Sequence, residues 1–279
     1  MTRKTMHAGS FYPRAGEQII SQIRKWTEGK PQAPAGEKNL GLIVPHAGYV
    51  YSGECAARGF HFISAEDFDS CVILHPSHHG SHFEFSVSPF EEYESPLGKL
   101  ELDQDLYDSL SQTPGNARGE NRLHEMEHSM EVQLPFIKHF FPRAKICPVM
   151  IGRPYPEVAI ALASKLHEAI AADGKRIGII VSTDLSHYYN SDTAEKMDTL
   201  IAKYITSLDT DGLWQSILRR RCEACGIGGI LTLLYYALKF PDARARTIHY
   251  THSGKVTGDN LQVVGYLSSE VYLRGGESE

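Results

Sequence analysis

The sequence has no long apolar run, and its N-terminus lacks a hydrophobic targeting segment. Nowhere in the 279 residues is there a stretch approaching the ~18 apolar residues that a membrane-spanning helix needs. The first nine residues carry no apolar core of the kind that a secretory signal peptide requires. We therefore expect no membrane partner and a cytoplasmic location.

Cysteine is scarce, with five residues at irregular spacings. An odd number of cysteines without a secretory signal favours reduced thiols over a disulfide framework. Cys222 and Cys225 form a CxxC pair, but no second cysteine pair accompanies it and no strand-to-helix thioredoxin context precedes it. A redox CxxC motif is therefore disfavoured.

The charge pattern lacks a basic stripe. Lys and Arg number 28 against 34 Asp and Glu, which gives a formal net charge of -6, and the two signs are interspersed. The one basic run, Arg219–Arg221, is short and is expected at the end of a helix. We therefore expect no nucleic-acid partner.

Apolar strands alternate with amphipathic helical patterns along the chain, and 42% hydrophobic residues suffice for a sizeable core. We expect buried strands at residues 40–45, 70–74, 144–151 and 176–182. Two further strands, at 246–252 and 261–266, flank a turn and have the pattern of a hairpin. The sequence therefore predicts a single α/β domain over residues 1–279, with three layers (α/β/α) and a mixed, largely parallel central sheet.

Histidine is abundant, with 14 residues, and several histidines directly follow the expected strands. His46 follows the strand at 40–45, and His78 and His79 follow the strand at 70–74. A helix is expected between these two strands, so we expect them to form one parallel pair. His187 follows the strand at 176–182. Because the carboxyl ends of parallel strands meet at one edge of a sheet, we expect these imidazoles to converge there.

Converging imidazoles indicate a metal site, because neutral histidine is the commonest metal ligand in proteins. Two histidines and one anionic residue leave positions open for a substrate or O₂. The residue pattern does not show which side chain supplies the anionic ligand. The candidates are Asp184, Glu127, Glu131 and Cys225.

A Ser-His-Asp hydrolase would use some of the same residues. Ser77, Ser186, Asp184 and His187 are available for it, but no G-x-S-x-G elbow accompanies either serine, which counts against this interpretation. Any one of the histidines, taken singly, is more often a hydrogen-bonded structural residue. The case for a site therefore depends on their convergence.

Six motifs occur in order between residue 7 and about residue 227. They are His7-Ala-Gly-Ser-Phe-Tyr12, Pro45-His-Ala-Gly-Tyr49, Pro76-Ser-His-His79, Glu127-His-Ser-Met-Glu131 with Leu134-Pro135, Ser182-Thr-Asp-Leu-Ser-His187, and Cys225-Gly226. Together they resemble the Memo-like family, whose prokaryotic members are called AmmeMemoRadiSam system protein B. The resemblance covers nearly the whole chain.

This resemblance implies a LigB-like fold, that of the class III extradiol dioxygenases, whose site holds non-heme Fe(II) on two histidines and a glutamate. By position, His46 and His78 look like the two ligand histidines and His187 like the acid/base histidine. Cys225 falls where the dioxygenases carry the glutamate. The implied metal ligands are thus His46, His78 and Cys225, with Fe(II) or Cu(I) as the expected ion and Zn(II) as the alternative.

Other residues are expected around this centre. Asp184 is placed to orient His187 or an adjacent loop, so these two form the expected catalytic pair. His79, Glu127 and His128 are expected to line the cleft. His75 stands where the family has a small residue, and Gly229 stands where relatives often have proline; the sequence leaves the roles of His75 and His79 open.

The leading functional prediction is a redox-active metalloprotein, in the form of an oxidoreductase that acts on an aromatic or phenolic group of a small molecule or protein. The family name implies that the protein functions together with a radical SAM protein as its partner. A thiolate in place of the carboxylate softens the site, so ring cleavage does not follow from the fold alone. The alternative is a non-enzymatic peptide-binding scaffold with a vestigial site.

Overall fold

The computed structural model describes residues 1–274. In chain order its strands are β1 (Thr2–Arg3), β2 (Lys38–Val44), β3 (Ser70–Pro76), β4 (Phe85–Val87), β5 (Glu92–Tyr93), β6 (Leu100–Glu101), β7 (Lys145–Ile151), β8 (Ile177–Ser182), β9 (His187–Tyr189), β10 (Ala243–His252) and β11 (Val263–Leu273). The helices are α1 (Gly16–Thr27), α2 (Tyr49–Phe62), α3 (Gln104–Ser111), α4 (Asn121–Met126), α5 (His128–Glu131), α6 (Leu134–Phe140), α7 (Pro156–Asp173), α8 (Ser191–Thr206), α9 (Thr210–Leu218), α10 (Ile227–Ala237) and α11 (Gly254–Thr257).

The central sheet has the strand order β10-β11-β2-β8-β3-β7-β4, and β9 pairs with β11 beside it. Four neighbouring strands, β2, β8, β3 and β7, run parallel. The flanking pairs β10–β11, β11–β2 and β4–β7 are antiparallel. The prediction of a mixed, largely parallel sheet closed by a C-terminal hairpin is therefore confirmed.

Both faces of the sheet are covered by helices, which is why the central strands are apolar along their whole length. Alternate residues of one strand enter two different hydrophobic clusters. In β8, Ile179 and Val181 pack on the face of α7 and α10, whereas Ile180 packs on the face of α1, α2 and α6. The structure thus has the predicted three layers.

A small second sheet, in the order β1-β5-β6, holds the N-terminus. Its strand β1 contains Arg3, whose side chain is fully buried and forms an ion pair with buried Glu131 at 2.7 Å. The guanidinium also donates hydrogen bonds to the carbonyl oxygens of His124, Glu125 and Glu127. The N-terminal segment is therefore fixed against the loop that carries α4 and α5.

One feature of the order differs from the sequence expectation. His46 and His78 follow β2 and β3, which were expected to form one parallel pair, but β8 lies between these strands and pairs with both. The shared edge is as expected, since all three strands run in the same direction.

None of the helices within residues 1–274 has the length and apolar character to cross a membrane.

Candidate metal centre

Three imidazoles converge at the carboxyl edge of the parallel strands. His46 follows β2, His78 follows β3, and His128 opens α5. One ligand atom from each lies within 4.8 Å of the others, which makes this the cluster with metal-binding geometry among residues 1–274. The ring centroids are 5.3 Å apart for His46–His78 and 4.5 Å for His78–His128.

The orientation of His46 is set by a buried serine. Nδ1 of His46 lies 2.9 Å from Oγ of Ser182, at the end of β8. The Ser182 hydroxyl donates its own hydrogen to the carbonyl oxygen of Ser129 at 2.6 Å and accepts from Nε2 of Gln133. Nδ1 of His46 must therefore donate to Ser182, and the lone pair of the neutral ring is on Nε2.

Glu127 orients the second imidazole. Its buried carboxylate accepts from the backbone N–H of His78 at 2.7 Å and from Nδ1 of His78 at 2.8 Å. It also accepts from the N–H of Ser129 and lies 3.3 Å from Nδ1 of His128. Nε2 of His78 is left as the nitrogen that could bind a metal ion, and a carboxylate behind the ring in this way is a common support of metal-binding histidines.

The protonation states suit metal binding. Burial acts to raise the pKa of Glu127, but the hydrogen bond and the charge of His78 outweigh it and hold that pKa well below its usual range. Burial and the neighbouring His78 lower the pKa of His46 well below 6.5. Burial, followed by the charge of His46, lowers the pKa of His128 to about 3. His46 and His128 are therefore neutral at pH 7, as metal ligands must be.

Cys225, the predicted third ligand, lies just before α10. Its Sγ is 3.2 Å from Nε2 of His46 and accepts a hydrogen bond from the backbone N–H of Asp184 at 3.1 Å. Burial, with the carboxyl group of Asp184, raises the pKa of the thiol. In the metal-free protein Cys225 is thus a neutral thiol, and it lies beside one of the three clustered imidazoles.

Asp184 and His187, the expected catalytic pair, have separate partners. The Asp184 carboxyl accepts from the backbone N–H of His46 at 2.8 Å, so it orients the adjacent loop, and burial raises its pKa to about 6. His187 donates its backbone N–H to Glu223 at 2.7 Å, and Nδ1 of His187 is 3.9 Å from the same carboxylate.

A cavity of about 330 Å³ opens beside the three-histidine cluster. His128, Asp184 and His187 contribute to its wall. The remaining lining is largely aromatic or small: Ser10, Phe11, Ala47, Gly48, Tyr51, Tyr188, Val264 and Tyr266. Of the three residues expected to line a cleft, His128 does so, Glu127 lies behind the imidazoles, and His79 is exposed outside this lining.

The sequence did not predict the roles of several residues that support the site. Ser182 bonds to His46 and Glu223 bonds to His187, whereas Gln133 acts on His46 through Ser182. Such bonds depend on pairings between distant segments. His128 was expected only as lining, because the loop before α5 gives no sign of where its imidazole lies.

Comparisons with known proteins show which family this chain belongs to. A family model described as "Memo-like protein" matches residues 3–270. A MEMO1 family protein of Desulfurococcus amylolyticus is 36% identical over 282 residues, covering 97% of this chain and 99% of its own. One from Thermotoga maritima is 35% identical over 284 residues, covering 98% and 100%. Among solved structures, uncharacterized protein JW3007 from Escherichia coli K12 is similar with a TM-score of 0.48 at 14% identity, covering 84% of this chain and 98% of its own. The chain belongs to the Memo-like protein family.

Proposed function

We propose that this member of the Memo-like family binds one redox-active transition-metal ion between His46, His78 and His128, with Cys225 as a further ligand. The supporting observation is the set of three imidazoles with ligand atoms within 4.8 Å of one another. Atoms bound to one ion at about 2.1 Å lie at most about 4.2 Å apart. Movements of about an ångström or less would therefore complete the site.

The donor set fits such an ion. The lone pairs on Nε2 of His46 and Nε2 of His78 are fixed by the hydrogen bonds that Ser182 and Glu127 accept from Nδ1 of each ring. Cys225 lies next to Nε2 of His46, and metal binding would deprotonate its thiol. Imidazole with thiolate suits Cu(I), Zn(II) or an electron-rich Fe(II), and we propose Fe(II) or Cu(I) as the resident ion.

When bound, iron or copper would supply Lewis acidity and one-electron redox chemistry. Glu127 and Ser182 hold the ligand rings in place. His187 lies on the cavity wall beside Glu223, where its ring can hold or move a proton. The aromatic lining and the volume of about 330 Å³ suit an aromatic or phenolic group, so we propose an oxidoreductase acting on such a group.

Metal analysis after anaerobic purification tests the proposal. Iron, copper and zinc are quantified in the wild type and in the variants His46→Gln, His78→Gln, His128→Gln and Cys225→Ser, with His79→Gln as the matched control at an exposed neighbouring imidazole. We expect about one ion per chain in the wild type and the control, and loss of that ion in His46→Gln and His78→Gln.

The other two variants identify the remaining ligands. Loss of the ion in both of these variants supports the proposed set of four ligands. Loss in Cys225→Ser but not in His128→Gln supports the set of His46, His78 and Cys225, whereas loss in His128→Gln but not in Cys225→Ser supports the three-histidine set. Wild-type protein that binds none of the three metals under reducing conditions would contradict the proposal, and a peptide-binding scaffold would then be the better interpretation.

A further inference from the structure

A second pair of histidines, separate from the candidate metal centre, lies in the interior. His75 is near the end of β3 and His124 is in α4, with exposed fractions of 1% and 0%. Their ring centroids are 6.3 Å apart at an interplanar angle of 67°. Nε2 of His75 and Nδ1 of His124 are both buried, and neither has a hydrogen-bond partner among residues 1–274.

The tautomer of His75 follows from its other nitrogen. Nδ1 lies 3.1 Å from the carbonyl oxygen of Pro76 and 3.1 Å from Oγ of Ser129. A carbonyl oxygen only accepts, so Nδ1 carries the hydrogen. Since burial lowers the pKa of His75 to about 4, the ring is neutral at pH 7. Nε2 of His75 is therefore a bare acceptor.

The tautomer of His124 follows in the same way. Nε2 of His124 lies 3.0 Å from Oγ of Ser86. The Ser86 hydroxyl donates its only hydrogen to the carbonyl oxygen of Ala117 at 2.9 Å. Nε2 of His124 must therefore donate to Ser86, and Nδ1 is the second bare acceptor.

Two neighbouring acceptors cannot bond to each other, and a buried acceptor that is left unpaired destabilises the folded protein. We propose that one internal water molecule binds between His75 and His124 and donates one hydrogen to each ring. Two ring nitrogens turned toward each other at the centroid separation of 6.3 Å would leave a gap wider than a direct hydrogen bond of about 3 Å but within the reach of one bridging water.

A cation fits this position less well than water does. Neither neutral ring supplies negative charge, and the Glu127 carboxylate, whose charge acts on both rings, is already bonded to His78 and Ser129. The guanidinium of Arg3 also lies nearby, donating to the carbonyl oxygen of His124 at 2.9 Å. A buried cation without a compensating charge is costly. Water needs only the two acceptors and no charge, and waters of this kind are an ordinary part of protein interiors.

The water has a structural consequence for the neighbouring metal centre. By occupying Nε2 of His75 it holds the hydrogen of that ring on Nδ1, where it bonds to Pro76 and Ser129. Pro76 ends β3 two residues before His78, and Ser129 accepts from Ser182 through its carbonyl oxygen. The water therefore links α4 to the strand end that carries His78.

Histidine-selective ¹⁵N labelling of the full chain tests the inference at neutral pH without metal. Long-range ¹H–¹⁵N spectra should show His75 protonated on Nδ1 only and His124 on Nε2 only. Both rings should also exchange magnetisation with a water that stays bound longer than the protein tumbles. In His75→Phe the water signal at His124 should be lost, whereas the control His167→Phe, on the surface of α7, should retain it.

Three results would overturn the inference, and the first two need only the wild type. One is the opposite tautomer on either ring, and another is the absence of a long-lived water at both. The third is stoichiometric uptake of Cu(I) by the double variant His46→Gln/His78→Gln that His75→Phe abolishes, because this would identify the occupant as a metal ion.

Discussion

Glu127 is the residue that connects the candidate metal ligands to the rest of the protein. A single buried carboxylate contacts His78 twice and also lies against His128. Because its hydrogen bond leaves the lone pair of His78 on Nε2, the carboxylate determines both the tautomer and the orientation of this ring. Such supporting carboxylates typically contribute 10- to 100-fold to metal affinity.

We therefore predict that Glu127→Gln weakens metal affinity by about 10- to 100-fold without preventing folding. The amide keeps the shape but loses the negative charge and one acceptor. Competition with a chromophoric chelator measures the affinity. Glu120→Gln is the matched control, because Glu120 bonds to exposed His82 away from the cluster. Equal affinity in both variants would show that Glu127 has no supporting role.

Arg3 acts on the same loop from the opposite side. We predict that Arg3→Met lowers the free energy of unfolding by about 3–5 kcal/mol, because it leaves Glu131 charged and buried without its partner. Urea denaturation of the metal-free protein measures the change. Lys4→Met is the control, since Lys4 pairs with Glu94 at an exposed position, and its effect should stay below about 1 kcal/mol. Similar values for both variants would contradict this account of the ion pair.

The sequence could predict His46 and His78 because each follows an apolar strand directly, and the edge at which parallel strands end is known from their direction. The position of His128 was not predictable in this way. Its imidazole reaches the cluster because Arg3, near the N-terminus, donates hydrogen bonds to the carbonyl oxygens of residues 124, 125 and 127 and so holds the backbone before His128. No local pattern records a contact of that kind.

At the scale of elements, the close approach of α10 to β8 brings Cys225 to His46. A Cβ atom added to Gly226 would lie 2.5 Å from the carbonyl oxygen of Ser182 and 2.6 Å from Cβ of Thr183. Only glycine therefore allows the start of this helix to lie so close to the end of the strand. Glycine is therefore required after Cys225 for steric reasons, whether or not a metal ion binds.

We predict that Gly226→Ala shifts the start of α10, moves Cys225 away from His46, and costs about 1–3 kcal/mol of stability. Gly48→Ala is the control on the other side of the site, where φ is -55° and the nearest atom to the added Cβ is 3.5 Å away. Thermal unfolding measures stability, and the absorption spectrum of the Co(II)-loaded protein reports loss of the thiolate ligand. A normal thiolate band in Gly226→Ala would contradict the predicted shift.

The order of the strands was harder to predict than their existence. Continuous apolar runs identified β2, β3 and β8 as buried, but the insertion of β8 between the other two depends on pairings across more than 100 residues. This insertion places Ser182 and Asp184 between His46 and His78. The same topology therefore explains why these two polar residues became the supports of His46.

At the scale of the whole molecule, the interior holds several titratable groups whose shifts oppose one another. Burial lowers the pKa of His75 to about 4 and that of His128 to about 3, and it lowers the pKa of His46 and His124 as well. Burial also raises the pKa of Asp184 and of Asp198 to about 6. The histidines favour the folded state at neutral pH, whereas the two aspartates favour it at acid pH.

The balance can be worked out for metal-free protein between pH 7 and pH 5. An unfolded histidine takes up a proton below about pH 6.5 while the buried ring does not, so each of His75 and His128 removes about 2 kcal/mol of stability at pH 5. Asp184 and Asp198 are protonated in the folded protein below pH 6 and remain ionised in the unfolded chain, so each returns about 1 kcal/mol. His46 and His124 add to the loss.

We therefore predict that the metal-free protein loses at least about 2 kcal/mol of stability between pH 7 and pH 5. Urea denaturation across this range measures the slope. In His75→Phe the loss should be smaller by about 2 kcal/mol. Phenylalanine takes up no proton in the folded or in the unfolded protein, so this position no longer favours the unfolded chain at pH 5. His79→Gln should leave the slope unchanged, since His79 is exposed. A wild-type stability that rises on acidification would mean that the two aspartates outweigh the buried histidines.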